Sequence, residues 1–324
     1  MIDGHPGFLL NGKPLFMYGP LDQGWWPDGL LTPPSYEAMI YDLKTIKALG
    51  MNMVRKHIKV EPDLWYEWCD RNGLIVWQDM PSGSEGGSIG SKQTIQHNFY
   101  TECEHIVTAL KQHPCIGLWV VYNEGWGQDA DAGGGHTMRG YLTVRNADAD
   151  MGRLMNSVSG WTDFEIGDVV DTHSYPAPNG NSNKRNERIN VCGEFGGITL
   201  MIDGHLWAGS QQTYTQVSNS EEYTERFNQY TMALQSLQQS KNLWAGVYTQ
   251  ITDVEQEVNG ILTYDRKVLK VNEEQLASIR ENIEKTIQQR MKPAVSVVSA
   301  GDNSTSINWK YVTTNPGEGW NTPE

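Results

Sequence analysis

Two glutamates, Glu124 and Glu194, each stand where an apolar run gives way to polar residues. Ile116-Gly117-Leu118-Trp119-Val120-Val121-Tyr122 leads into Asn123-Glu124-Gly125-Trp126, and Ile189-Asn190-Val191-Cys192-Gly193 leads into Glu194-Phe195-Gly196-Gly197. A carboxylate at the end of a buried strand costs free energy unless it is solvated or paired, so each needs a reason to be there. Two that converge can flank a substrate bond, one as a protonated acid and the other as an ionised nucleophile or base. Glycoside hydrolysis requires this division of labour. Carboxyl separations of about 5–5.5 Å go with retention of configuration and about 6.5–9.5 Å with inversion. A lone strand-end glutamate is often an ion-pair partner only; two of them, one preceded by asparagine, are far more specific.

Such a pair needs a rigid frame, and the apolar patterning supplies one. Strands are expected at residues 15–19, 52–58, 74–79, 116–122, 154–159, 168–173, 189–194 and 243–250. Helices are expected at residues 35–49, 62–72, 93–112, 137–148, 220–240 and 273–289. The connection 162–167 has room for barely one helical turn. Leu9-Leu10, Asn11-Gly12 and Leu15-Phe16 predict a hairpin ahead of the first strand. Apolar strands alternating with helices imply an α/β chain with a parallel sheet covered on both faces, and eight strands is the closure number of a (β/α)8 TIM barrel. A doubly wound sheet is the competitor, but it would want a G-x-G-x-x-G or Walker sequence, and neither occurs. The expected layout is one barrel over residues 1–292, followed by a short β-rich tail over 293–324 with strands at 294–298 and 307–312. That tail reads as the truncated start of a following β-sandwich domain or as a segment packed on the barrel.

In such barrels the reacting residues sit at the carboxyl ends of strands. The first strand ends near Asp22, with Trp25 and Trp26 just beyond, offering a carboxylate for sugar hydroxyls and a stacking face, with a surface loop as the lesser alternative. Arg55 and His57 fall on the second strand, where Arg55 could pair with Glu194 and keep it ionised, and His57 could be a satisfied core histidine. Asp79 ends the third strand, and His173 and Tyr175 lie at the end of the sixth. The eighth offers Tyr248 and Gln250, then Asp253, Glu255 and Glu257. Asp129-Ala130-Asp131 begins like a calcium loop, but no glutamate occupies the twelfth position, so the segment reads as a loop over the site.

Composition narrows the partners. The 324 residues carry 25 basic and 39 acidic side chains, a net charge of −14, which argues against nucleic acid or an anionic membrane as a partner. No apolar run approaches the roughly 20 residues that span a bilayer, and the 10% aromatic content argues against disorder. Met1-Ile2-Asp3-Gly4-His5 offers no basic or apolar leader region, so no signal peptide is expected in this chain. Cys69, Cys103, Cys115 and Cys192 show no CxxC or zinc spacing and read as buried free thiols. Of the tryptophans, Trp65, Trp68, Trp77 and Trp119 read as packing, whereas Trp25, Trp26 and Trp126 stand where a sugar ring could stack.

Longer stretches carry a resemblance. Phe8-Leu9-Leu10-Asn11-Gly12-Lys13-Pro14, Asn52-Met53-Val54-Arg55-Lys56-His57, Gly73-Leu74-Ile75-Val76-Trp77-Gln78-Asp79-Met80-Pro81 and Asn123-Glu124-Gly125-Trp126 look like the barrel domain of glycoside hydrolase family 2. Trp65-Tyr66 through Cys69-Asp70 and His113-Pro114 belong to the same pattern, which covers about residues 8–290. The resemblance implies Glu124 as general acid/base, Glu194 as nucleophile and Asn123 as a partner of the sugar 2-hydroxyl. It also implies a hydrogen bond from Tyr175 to Glu194. Family barrels commonly end the eighth strand in tryptophan, and Tyr248 stands closest to that role here. Full chains of the family carry β-sandwich domains before the barrel, and the tail around Trp309 and Trp320 looks like the opening of a following sugar-binding sandwich. Asn183-Lys184 differs in place and spacing from the Asn-x-Lys of β-glucuronidases and lends no support to that substrate.

The function implied is that of a retaining exo-β-glycosidase, with β-galactosides slightly favoured and no metal or organic cofactor in the mechanism. A carbohydrate-binding, catalytically weak barrel is the alternative. A metal-dependent barrel hydrolase is disfavoured, because no His-x-His ends the first strand.

Overall fold

The computed structural model describes residues 5–83, 93–128, 135–182, 187–209 and 214–290. It opens with the expected hairpin. β1 (Leu9–Leu10) pairs antiparallel with β2 (Lys13–Pro14) around Asn11 and Gly12, whose φ angles of 51° and 76° are the left-handed values a tight two-residue turn needs.

Eight longer strands form the central sheet. They are β3 (Met17–Asp22), β4 (Met53–Lys56), β5 (Ile75–Asp79), β6 (Ile116–Asn123), β7 (Leu154–Ser159), β8 (Val169–His173), β9 (Ile189–Gly196) and, after the short pair β10 (Ile198–Thr199) and β11 (Thr215–Gln216), β12 (Leu243–Thr249). Their order is β7-β6-β5-β4-β3-β12-β9-β8, with every ladder parallel. The last strand thus lies beside the first, as barrel closure demands. No ladder joins β7 to β8. That seam is stitched mainly by side chains: Asn156 Nδ2 and Ser159 Oγ of β7 both donate to Asp171 Oδ2 of β8, at 2.7 and 2.6 Å, and one backbone bond, Asp168 N–H to Met155 O at 2.8 Å, crosses it just ahead of β8.

Strand alternation sorts residues between two apolar layers. On β3 and the residues leading into it, Leu15, Met17 and Leu21 face the barrel interior with Met53, Trp77, Leu118, Val191 and Val247. Phe16 and Tyr18 face outward and pack with Val54, Val76, Cys192, Tyr248 and the surrounding helices. Burying each large apolar side chain stabilises the fold by about 1.5–3 kcal/mol. Trp65, Trp77 and Trp119 are fully buried, Trp68 packs against the core, and all four cysteines are buried free thiols.

The outer layer holds α1 (Tyr36–Ala48), α2 (Asp63–Asn72), α3 (Gln93–Leu110), α4 (Gly135–Ala147), α5 (Ser220–Ser240) and α6 (Leu276–Gln288). Ser35 Oγ caps α1 by accepting from Ala38 N–H at 3.1 Å, and Met39, Ile40, Leu43 and Ile46 form its buried stripe. Gly73, at φ 63°, ends α2, and Asn219 caps α5. Among the described residues no helix follows β7 or β8, in keeping with the short connection at 162–167. No described helix is long and apolar enough to cross a membrane. The tail strands expected at 294–298 and 307–312, the calcium-like segment from Asp129 to Gly134, and Asn183-Lys184 lie outside the described residues.

Candidate active site

At the top of β6 the chain turns sharply. Glu124 sits at φ 52° and Gly125 at φ 83°, Glu124 N–H bonds Ser159 O at 2.8 Å, and Trp126 N–H returns to Asn123 O at 2.8 Å. Glu194 lies within β9, directly after Gly193. These two strand ends meet: one carboxylate oxygen of Glu124, one of Glu194 and a ring nitrogen of His173 all lie within 4.8 Å of one another.

The two carboxylates have different surroundings. Glu194 is buried; Arg55 Nη1 reaches its Oε1 at 3.2 Å, Tyr175 OH donates to its Oε2 at 2.6 Å, and His173 Nδ1 stands 3.6 Å from Oε2. Burial pushes this carboxyl up, but the charges of His173 and Arg55, with the Tyr175 hydrogen bond, outweigh it and hold the pKa below the usual carboxylate value. Burial and the neighbouring Glu194 charge raise the Tyr175 pKa, so the phenol keeps its proton and acts as donor. Thr249 Oγ1, 2.8 Å from the same phenol oxygen, must then donate to it. Among the described residues Glu124 has one side-chain hydrogen-bond partner, His173 Nδ1 at 2.7 Å.

Arg55 organises the floor. Its guanidinium forks onto Asp79 at 3.0 and 2.9 Å, and reaches Asn123 Oδ1 at 2.8 Å and Gly193 O at 3.1 Å as well as Glu194. A bidentate Arg–carboxylate pair is rigid as well as strong, and Asp79, pulled below its usual pKa against burial by Arg55 and His57, stays ionised. His57 Nδ1 contacts Asp79 Oδ2 at 3.0 Å, so His57 serves that pair. With Asn123 Oδ1 taken by Arg55, its amide nitrogen is left facing no described partner.

The structure therefore brings together Glu124, Glu194, Asn123, Arg55, His57, Asp79, His173 and Tyr175. Asp22 and Tyr248 are placed elsewhere, which corrects their expected roles. Asp22 shares the outward parity of Tyr18, and its carboxylate is taken by Lys56 Nζ at 2.6 Å and Gly24 N–H at 2.8 Å; Lys56 also binds Glu61 at 2.7 Å. Tyr248 is fully buried against α5, its hydroxyl on Tyr223 OH at 2.9 Å and its ring against Phe227 and Phe195. The eighth strand presents Thr249 to the site. Trp25 is half-buried, and Trp26 is buried under Arg266, whose guanidinium carbon lies 3.8 Å from the ring centroid. Trp126 is half-buried beside the 63% exposed Trp161, with centroids 5.7 Å apart.

Sequence reasoning passed over Tyr214, Ser159 and Asp171. Tyr214 is 56% exposed and lies flat on Tyr175, with centroids 3.9 Å apart and planes at 11°. Burial, then the charges of Glu124, Glu194 and Glu257, raises its pKa, which places it at the mouth with them. Glu257 is held there by the amides of Gln23, Gln250 and Asn259 at 3.0–3.1 Å. Ser159 was readable as a polar strand end; Tyr214, immediately ahead of β11, carried no signal. Glu124, His173 and Glu194 are close enough to share a cation. Their atoms are already engaged, however, Nδ1 with Glu124 and Oε2 with Tyr175, and the trio is a hydrogen-bonded network. A separate cavity of about 470 Å³ opens at the amino ends of the strands, lined by His5, Asn190, Lys241 and Asn242, with no carboxylate pair.

Comparison with known proteins agrees with the fold. Residues 5–284 match the family described as glycosyl hydrolases family 2, TIM barrel domain. A β-galactosidase of Priestia megaterium is 29% identical over 102 residues, 28% of this chain and 10% of that protein. β-Mannosidase B of Emericella nidulans is 31% identical over 147 residues, 44% of this chain and 16% of that protein. A crystal structure of a GH2 β-galacturonidase from Eisenbergiella tayi, bound to galacturonate, has the same fold. It superposes with a TM-score of 0.67 at 19% identity, covering 86% of this chain and 53% of that one. The chain thus spans a small part of the curated relatives and about half of the solved one. With the family match running over nearly the whole barrel, the chain belongs to glycoside hydrolase family 2 and contributes that family's TIM barrel domain.

Proposed function

We propose that the barrel hydrolyses terminal β-linked sugars with retention of configuration, with Glu194 as nucleophile and Glu124 as general acid/base. The observation that carries this reading is the proximity of the two carboxylates, with facing oxygens within 4.8 Å. That spacing fits direct attack at an anomeric carbon and lies below the about 6.5–9.5 Å at which an inverting pair holds a water between its carboxyls. The unequal surroundings support the assignment of roles: Glu194 is held as an anion by Arg55 and Tyr175, and Glu124 has a single partner that can share a proton.

In the first step a Glu194 oxygen bonds the anomeric carbon. The glycosidic C–O bond breaks, and Glu124 gives its proton to the leaving oxygen. In the second, water bonds that carbon, loses a proton to Glu124, and the Glu194 ester bond breaks. The free amide nitrogen of Asn123 is available to the sugar 2-hydroxyl, a contact that strengthens in the transition state. Aromatic faces for the sugar come from Trp126 and Tyr214.

A panel of aryl β-glycosides tests the reading. β-Galactosides come first, since β-galactosidases recur among the relatives. A 2-fluoro glycoside of any sugar turned over should label the peptide carrying Glu194. Sugar binding with neither turnover nor labelling would instead favour a carbohydrate-binding barrel.

A further inference from the structure

Ser159 Oγ lies between two side chains, donating to Asp171 Oδ2 at 2.6 Å and meeting His173 Nε2 at 2.7 Å. A hydroxyl has one proton, so a serine that donates to Asp171 can only accept from the imidazole, and His173 Nε2 must carry hydrogen. Asp171 orients that hydroxyl. It is buried, and it also receives Gly193 N–H on Oδ1 at 2.6 Å and Asn156 Nδ2 on Oδ2 at 2.7 Å. Burial pushes its pKa up, against the pull of His173, Arg55 and these hydrogen bonds. Two of these partners, Gly193 N–H and Asn156 Nδ2, can only donate, and the charges of His173 and Arg55 face the same carboxyl, so the arrangement is built around an acceptor that also takes the Ser159 hydroxyl. Gly160, at φ 76°, backs the ring so closely that a Cβ there would lie 2.6 Å from His173 Cγ. The imidazole is fixed in both plane and tautomer.

Its other nitrogen, Nδ1, faces Glu124 Oε1 at 2.7 Å. With Nε2–H fixed, that contact holds a single proton, either as carboxylic acid on a neutral Nδ1 or as imidazolium on a carboxylate. We propose that Asp171 and Ser159 are positioning residues which, acting through His173, keep this one proton in the Glu124–His173 contact for delivery to the glycosidic oxygen. The proposal rests on the reading of Glu124 as general acid/base. When the proton leaves with the aglycone, the contact sets a carboxylate oxygen against an imidazole lone pair. That repulsion favours recapture of a proton from the attacking water, so the second step restores the first state. The charged and titratable groups facing the contact are Glu194 of β9, Arg55 of β4, Asp171 of β8, and the phenols Tyr175 and Tyr214. Burial opposes charge on His173, yet the charge of Glu194, the Glu124 hydrogen bond and Asp171 together leave its pKa above that of a free imidazole.

The test uses the whole chain with Ser159→Ala and Ser159→Thr. The pH dependence of kcat/KM is measured on aryl β-glycosides with graded leaving groups, and 15N spectra of the imidazole are recorded without substrate. In Ser159→Ala the alkaline limb should move down by about one pH unit, the size set by a hydrogen bond to a charged group. Poor leaving groups should slow and dinitrophenolate should be nearly unaffected, while Ser159→Thr, which keeps the hydroxyl, should behave as wild type. The His173 resonances, assigned by their loss in His173→Gln, should show hydrogen on Nε2 in the wild type and a lower titration midpoint in Ser159→Ala. An unmoved limb, an equal loss for all leaving groups, or a neutral His173 bare at Nε2 would each overturn the proposal. A wild type that cleaves no glycoside overturns the catalytic reading, and the spectra then decide the hydrogen-bonded relay by themselves.

Discussion

Tyr175 donates its hydroxyl to Glu194 Oε2 at 2.6 Å, so the residue that steadies the carboxylate charge is one whose own proton is firmly held. Glu194 has a folded-state pKa below its ordinary value; its anion is present above that pKa and is lost as pH falls through it. Tyr175→Phe removes a donor to the charged form and raises that pKa. The acid limb of kcat/KM should therefore move up by about one pH unit. A limb that stays in place would show that Arg55 and His173 alone hold the charge.

Exchanging the carboxylates separates their roles. Glu194→Gln should lower kcat by at least ~10⁴-fold on every glycoside. Glu124→Ala should slow poor leaving groups far more than good ones, and added azide should restore turnover with a β-glycosyl azide as product. Equal losses across leaving groups would argue against Glu124 as the acid.

Asp22 offers a contrast. Its carboxylate and the Lys56 ammonium are almost wholly buried, and Lys56 keeps Glu61 when Asp22 is removed. Asp22→Ala should lower unfolding free energy by about 3 kcal/mol, the scale of a broken buried pair, and leave KM unchanged. Denaturant midpoints and Michaelis curves on the same preparation check this; a rise in KM without loss of stability would return Asp22 to the sugar site.

The glutamate pair was legible because each ends a mostly apolar strand run, and burial makes a carboxylate there conspicuous. Asp22 and Tyr248 were misplaced for one shared reason, strand parity. Tyr18 faces the helices, so Asp22, four residues on, faces them as well; Val247 faces the interior, so Thr249 does and Tyr248 does not. Counting by two from the core would have corrected both. The Asp171–Ser159–His173 chain was not legible, because it depends on which two strands meet without a ladder. Tyr248→Phe accordingly should cost about 1 kcal/mol through the lost Tyr223 bond and leave the pH profile intact, whereas Thr249→Val should shift the acid limb in the direction of Tyr175→Phe.

Tyr214 lies flat on Tyr175 and is more than half exposed at the mouth. Tyr214→Ala should raise KM by roughly three- to tenfold, the worth of one aromatic contact, with kcat little changed. A matching fall in kcat would indicate instead that the ring holds Tyr175 in place.

A sheet closed by ladders on all sides but one has a preferred line of parting. Between β7 and β8 the load passes through Asn156, Ser159 and Asp171, and apart from the bonds between Met155 and Asp168 the seam has no ladder of backbone bonds like those that protect the other strands. On warming, hydrogen exchange should quicken along those two strands before the rest of the sheet gives way. Ser159 is also the residue against which His173 is set, so catalytic competence should fade at temperatures where circular dichroism still reports an intact barrel.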